Sequence, residues 1–505
     1  MGFLLQIMLA LCSLVVSESI DESTTQLPWA VFAIAPLPYA VTWLRKRASR
    51  AGAYKRAKFV ARVEALVPVL MQFVAVAFFG WMRSLEEWFT ADLSVLTWPS
   101  PIVLLALAPF VVYTAIAIDA QARGVASSNV EVRRSMRSFQ LRMFLAGLGP
   151  IFGYILVAAF LGRWEYLRIG VEEVRLFGIA FTAVLAVSAI QFLPFFLRWT
   201  WETERLTSGP QLELLERVAG LAKFRCEELL VWKTGNMMAN AAIVGLFPSS
   251  RRVFFTDVLL RQMSPRQLAA VYAHEIGHAK RFHVPILLVW ALAFFGGLDG
   301  LLSWAEFGDQ ELELLVLLFG MFLWLLGFGW LSRRIELEAD LFCLDLLRDA
   351  VGISSALLAV APANPGRSGW RHFSTYKRID FVERAALDPE VGRGLRRRLR
   401  VVATIGLALC LGVGVQQTEA MATDFPAERT VVDLRLGHFA QAAERRATWG
   451  PELEGKQLEL LAALVSLAES AGLKDSESRI AAVETCSNRA SMALKGGFLN
   501  EATGW

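Results

Sequence analysis

The stretch VYAHEIGHAKRFH, residues 271–283, holds His274, Glu275, His278 and His283 in a chain with only five histidines. His274 and His278 are four apart, so one face of a helix presents both imidazoles. Glu275 lies one residue further round and reaches a water held between them. This is the HExxH arrangement. Zinc takes neutral imidazole nitrogens, and a catalytic zinc site keeps one position open for water. The metal lowers that water's pKa; a neighbouring carboxylate takes the proton and later delivers it to a leaving amine. A chance match on a solvated face is the alternative. The scarcity of histidine and the apolar flanks argue against it.

Such a site needs a third ligand. Past two apolar blocks comes SRRIELEADLF, residues 332–342. Glu336 can complete a two-histidine, one-carboxylate set. Asp340, four residues on, can accept the distal N–H of a ligating histidine. A competing ligand is Asp299 of Leu298-Asp299-Gly300, the pattern of site-2-type intramembrane metalloproteases. It follows the zinc helix by only about twenty residues, and Lys280-Arg281 at that helix's end suit a water-facing mouth. Structural zinc sites are closed by four protein ligands; three ligands beside an intact Glu275 indicate an open, working site. His283 reads as an interfacial residue on another face, His438 as solvated, and Cys343 as packing.

The elements that position these residues are mostly helices in a bilayer. Apolar residues make up 55% of the 505 and charged residues 19%, against roughly 45–50% and 25% in soluble chains. Blocks long enough to span lie near 28–44, 65–82, 98–118, 143–161, 177–197, 284–304 and 314–331, with a shorter one at 401–416. Residues 1–17 are a possible signal peptide or first span. Basic loops 45–63 and 119–142 alternate with acidic 83–97 and 305–313, which puts 198–283 and 332–400 on the cytoplasmic side. The net charge of +4 gives no basis for nucleic-acid binding. Five cysteines without a CxxC pair suggest no disulfide framework or cysteine metal site. Asp299 within an apolar block also raises transport as a minor alternative.

Between spans, residues 209–225 read as a helix, and 229–233, 240–246 and 252–256 as strands. Ser264-Pro265-Arg266-Gln267 then starts the zinc helix: Ser264 caps, Pro265 suits the first position and Gln267 completes a capping box. Leu268, Val271 and Tyr272 set its inner face. Residues 417–505 are rich in Ala, Leu and Glu and read as a small helical domain that can serve as a partner surface.

The order SPRQLAAVYAHEIGH, two apolar blocks, then SRRIELEAD closely resembles the M48 metallopeptidases, which include the Ste24 CAAX prenyl proteases and HtpX membrane proteases. The likeness covers roughly residues 205–385. It implies a mainly α, polytopic transmembrane protein with a zincin-like (gluzincin) peptidase domain containing a small β-sheet. One Zn2+ per chain is then implied, on His274, His278 and Glu336. NAAIVG resembles the family's strand along the cleft, which implies that Asn240 and Ala241 bind extended substrate backbone. His372 and Arg378 in RHFSTYKR resemble its His…Arg element, which implies oxyanion stabilisation by His372 and support from Arg378. The family's His-Pro is His372-Phe373 here.

The expected organisation is N-terminal transmembrane helices over 1–200 and a peptidase domain over 201–400 that includes spans 284–304 and 314–331. A last span at 401–416 and the helical domain 417–505 follow. The expected function is a zinc-dependent endopeptidase cleaving membrane-associated or misfolded proteins with a metal-activated water. It would sit multi-pass in a membrane, by composition a bacterial inner membrane, with the active site facing the cytoplasm. Protein or peptide substrate and the lipid bilayer are its expected partners. The alternatives are a site-2-type protease and a non-catalytic zinc-bearing membrane scaffold.

Overall fold

In the computed structural model, residues 28–89, 103–124, 130–305, 310–361 and 364–436 are described, with a few isolated positions beyond them. The protein is mainly helical with one small mixed sheet. Among the described residues six helices are long and apolar enough to cross a membrane: Tyr54–Phe79, Val130–Leu161, Arg175–Thr200, His283–Leu302, Leu315–Leu347 and Pro389–Thr418. It is a multi-pass membrane protein. Two compact units are distinguished, one of Met1–Ala189 with Glu419–Trp505 and one of Ile190–Thr418.

In the first unit, two of the expected spans take another form. The block at 28–44 divides into a 3-10 helix, Pro28–Ile34, and a 14-residue helix, Leu37–Arg50. Pro36 caps the second and a proline opens its first turn, where the missing N–H costs nothing. The block at 98–118 contributes Ala108–Gly124, 17 residues long. Several polar groups buried among these helices are paired, which offsets the cost of a low-dielectric interior. Thr42 donates to Glu64 (2.6 Å), Arg45 pairs with Glu64 (2.7 Å), and Tyr39 donates to Asp119 (2.6 Å). The possible leader 1–17 lies almost wholly outside the described residues, and so does most of 417–505.

The second unit carries the histidines of the opening motif. Its elements are β1 (Thr203–Arg205), α1 (Pro210–Leu221), β2 (Glu228–Trp232), β3 (Ala241–Val244), β4 (Arg252–Thr256), α2 (Asp257–Gln262), α3 (Pro265–Lys280), α4 (His283–Ala305), α5 (Gln310–Leu347), α6 (Ala350–Ala359), α7 (Thr375–Leu387) and α8 (Pro389–Arg435). The three expected strands form within a residue or two of their predicted limits. β1 was not foreseen; three residues, Thr-Glu-Arg, give no alternation to read. The sheet order is β1-β2-β4-β3, with β2 and β4 parallel and the outer pairs antiparallel. β4 is buried at every position, as a central strand must be, and β3 forms an edge.

The capping box at α3 is present: Gln267 N–H donates to Ser264 Oγ, and Ser264 N–H to Gln267 Oε1. Leu268, Tyr272 and Ile276 of α3 are buried against Phe255 of the sheet, Leu341 and Leu344 of α5 and Val382 of α7. Gly277 allows the close approach of α3 to α5: a Cβ there would lie 3.2 Å from Phe342 and 3.3 Å from the Ala339 Cα. Cys343 is buried and its Sγ donates to the Ala270 carbonyl, a packing role as the sequence indicated. α5 has 38 residues. At 1.5 Å per residue that is about 57 Å, well beyond the ~30 Å hydrocarbon core. The surplus carries SRRIELEAD past the apolar stretch and lays it along α3. The marginal block 401–416 likewise belongs to a longer helix, α8, of 47 residues.

Gly245 closes β3 with φ +117°, and a Cβ there would sit 2.7 Å from the Arg251 Cα and 2.9 Å from the Ser250 carbonyl oxygen. Gly220 in α1 has ordinary helical backbone and open space around it. Gly245→Ala should therefore destabilise the second unit by roughly 1–3 kcal/mol, while Gly220→Ala should stabilise it by about 0.5 kcal/mol. Thermal unfolding of the detergent-solubilised variants distinguishes the two; equal melting temperatures would contradict the assigned backbone at Gly245.

Candidate metallopeptidase site

α3, α5 and the segment entering α7 converge on a cleft of about 390 Å³. His274, Glu275, His278, Glu336, Asp340, His372 and Arg378 line it, with Ala239, Asn240 and Ala241 along one side. Every residue the sequence marked for this site is therefore brought together. The reason is local on each element. The helical repeat puts His274 and His278 on one face of α3, and it puts Glu336 and Asp340 one turn apart on α5.

His274 Nε2 and His278 Nε2 are 3.2 Å apart, and each lies 3.7 Å from an oxygen of Glu336. A tetrahedral ion with bonds of 2.0–2.1 Å holds its ligand atoms ~3.3 Å apart. Three nitrogen and oxygen donors at these separations fit one divalent ion and leave a fourth corner vacant. All three ligand atoms lie within 4.8 Å of one another, and no other such group occurs among the described residues. Asp299, the rival ligand, accepts a hydrogen bond from Gln417 Nε2 (3.3 Å) on α8 instead.

The carboxylates around the cleft set its electrostatics. Glu336 and Asp340 are both buried. Arg378 clamps Asp340 with two hydrogen bonds, Nε to Oδ2 at 2.8 Å and Nη2 to Oδ1 at 2.6 Å, and its Nη1 lies 3.6 Å from Glu336. Asp340 Oδ1 is 3.0 Å from His274 Nδ1, on the side away from the ligand position. Burial disfavours charge on His278, and the neighbouring His274 adds to this; its pKa falls to about 3, which keeps the ring in the neutral form a metal takes. Burial also acts against charge on His274, but its hydrogen bonds to the Asp340 and Glu336 carboxylates outweigh it and raise the pKa to about 10. A metal taken up at His274 would therefore have to compete with a proton for that ring. Burial pushes the Glu275 carboxyl up to about 7, with Glu336 adding to the rise.

His372 lies at the mouth. Its Nδ1 is 3.2 Å from Glu336 Oε2, while about half of its side chain remains exposed. Arg333 donates to the Trp370 carbonyl oxygen (2.8 Å) and Trp370 Nε1 to that of Leu325 (2.9 Å), so α5 itself holds the segment that delivers His372. On the opposite wall, Asn240 N–H donates to Thr256 Oγ1 and the Asn240 carbonyl accepts from Thr256 N–H, both at 3.0 Å. Those bonds fix the start of edge strand β3 beside the metal ligands.

His283 was read as an interfacial residue on a separate face; the structure corrects this. The chain reverses at Phe282, whose φ is +55°. That turn swings His283 back under α3, where it is buried with its Nδ1 2.9 Å from His278 Nδ1. Five-residue spacing excludes contact along one continuous helix, and only the helix break makes it possible. Glu338, which the sequence analysis did not single out, lies 2.9 Å from His283 Nε2.

The fold and this site define a class: a polytopic membrane protein in which an HExxH helix and a distant glutamate form one group that could hold a metal ion. Residues 212–404 match the model of peptidase family M48. Among curated proteins it is 26% identical over 181 residues to a CAAX prenyl protease 1 homolog of Arabidopsis thaliana, covering 32% of this chain and 42% of that protein. It is 25% identical over 213 residues to a protease HtpX homolog of Moorella thermoacetica, covering 36% of this chain and 68% of that one. The matched region thus spans less than half of the plant protein. Among solved structures, Ste24p of S. mikatae aligns over 71% of this chain and 97% of its own, with a TM-score of 0.45 and 14% identity.

Glu336→Gln should cut metal affinity at least tenfold, whereas Asp299→Asn should leave it unchanged. Metal content after dialysis of the purified variants reads this directly. Loss only on replacing Asp299 would shift the site to the site-2-type arrangement.

Proposed function

We propose that the protein is a zinc-dependent endopeptidase of the membrane, with His274, His278 and Glu336 holding one Zn2+. When bound, the ion supplies Lewis acidity and lowers the pKa of a water. Glu275 takes a proton from that water and passes it to the leaving amine, a role suited to a carboxyl whose pKa lies near neutrality. His372, half-exposed at the mouth, donates to the oxyanion of the tetrahedral intermediate. Arg378 acts mainly through Asp340, which in turn orients His274. Asn240 and Ala241, at the start of the edge strand, pair with extended substrate backbone.

The observation that carries this reading is the convergence of two imidazoles and a carboxylate beside Glu275 in an open cleft. An edge strand selects extended backbone over side-chain identity, which favours unfolded segments. Damaged or misfolded membrane proteins are therefore the proposed substrates, in preference to the prenylated C-termini named for the plant relative. The basic loops 45–63 and 119–142 support a cytoplasm-facing site, and a bacterial inner membrane is proposed from the composition.

Glu275→Gln should lower kcat on an unfolded protein substrate by roughly 10²–10⁴-fold with full metal content. A chelator should abolish turnover of the wild type, and zinc should restore it. Turnover retained by Glu275→Gln would remove the mechanism; zinc bound with no cleavage in the wild type would favour the scaffold.

A further inference from the structure

Behind the cleft, hydrogen-bonding groups continue from His278 away from the proposed metal. The ring of His278 directs Nε2 toward His274 and Glu336 and Nδ1 toward His283 Nδ1, 2.9 Å away. The two rings stand nearly perpendicular, with centroids 4.9 Å apart. His283 Nε2 reaches Glu338 Oε2 at 2.9 Å, and both side chains are almost wholly buried, 3% and 6% exposed. Glu338 Oε1 lies 3.0 Å from Arg281 Nε at the end of α3 and 3.6 Å from Arg396 Nε on α8.

With both rings neutral, the donors and acceptors around them fix where the protons sit. A carboxylate paired with the Arg281 guanidinium only accepts, so His283 donates to it from Nε2. A neutral His283 then accepts at Nδ1. The proton in the contact between the two rings therefore belongs to His278 Nδ1, which leaves the His278 Nε2 lone pair facing the ion. No other neutral arrangement satisfies all the contacts.

We infer that His283 and Glu338 are positioning residues that lock His278 in its metal-binding tautomer and orientation, with Arg281 and Arg396 holding Glu338. The two ligand histidines are then supported differently. Asp340 faces His274 directly, whereas Glu338 acts on His278 through an interposed imidazole. The device depends on the reversal at Phe282, because only that turn returns His283 to α3. It also ties the centre to α8, through Arg396.

This inference rests on His278 being a metal ligand, and the test separates the two claims. The full-length protein is purified in detergent, and its Zn2+ dissociation constant and rate of metal loss are measured against a chromophoric chelator. His283→Leu and His283→Gln both remove the imidazole at similar volume, but only glutamine keeps an acceptor for His278 Nδ1–H. His283→Leu should weaken zinc binding by roughly 10–100-fold, and His283→Gln should recover most of that loss. Ring ¹⁵N shifts provide a second readout, tractable with only five histidines in the chain. The wild type should show a single Nδ1–H tautomer for His278, and His283→Leu a mixture. Wild-type affinity and a single tautomer in His283→Leu would overturn the inference while His278→Ala still lost its metal. Wild-type affinity in His278→Ala would overturn the ligand assignment itself. If His283→Leu lowers the melting temperature of the metal-free protein, His283→Gln and Glu338→Gln decide. Faster metal loss from Glu338→Gln at an unchanged melting temperature, with a single His278 tautomer kept in His283→Gln, supports the relay; metal loss at the wild-type rate in Glu338→Gln, or mixed tautomers in His283→Gln, overturn it.

Discussion

Buried negative charge is the constraint from which the rest of the second unit follows. Glu275, Glu336 and Asp340 face one cleft, and Arg378 is the buried guanidinium set against them. With all of them ionised, two negative charges remain unmatched, which is the charge of one divalent cation. Carboxylates are not kept from water without such compensation. In the metal-free protein the compensation is partly a proton at His274, held there by Asp340 and Glu336. Metal binding exchanges that proton for an ion, so affinity for the ion is tied to pH and to the packing of α3 against α5.

That packing depends on small details. Gly277 brings the backbones of α3 and α5 close enough for Glu336 to reach both imidazoles. α5 serves two environments, apolar over its first half and charged over its second, and its length carries the glutamate past the apolar stretch. The same helix holds the Trp370 segment that brings in His372. A helix anchored in the membrane thus supplies one proposed ligand and supports the segment at the cleft mouth. Movement of that helix would disturb both together.

The sheet adds the remaining wall. β4 is central and fully buried, and β3 lies at the edge with its first residues in the cleft. An unpaired edge is a hazard in most proteins because it can template further pairing. Beside the proposed catalytic centre the same property would be useful, since it would offer an extended chain a place to lie across the cleft.

Much of this was legible in the sequence, for physical reasons. Helical periodicity alone places His274 with His278, and Glu336 with Asp340, on single faces; the capping box at Ser264 fixes where the zinc helix begins; hydropathy marks the spans it lies between. These are local rules, and local rules survive folding when the segment is long and strongly patterned. The division of the blocks at 28–44 and 98–118 into shorter helices, the three-residue strand β1 and the full length of α8 were less legible, because prolines and marginal lengths leave the outcome to packing. What only the tertiary structure decided was pairing across distance. Glu336, and not Asp299, stands beside the histidines. Arg378 spends its hydrogen bonds on Asp340. His283 turns back through the left-handed residue Phe282 to meet His278, with Glu338 behind it. Each of those outcomes depends on the angle between two helices, a quantity that no spacing along a single chain encodes.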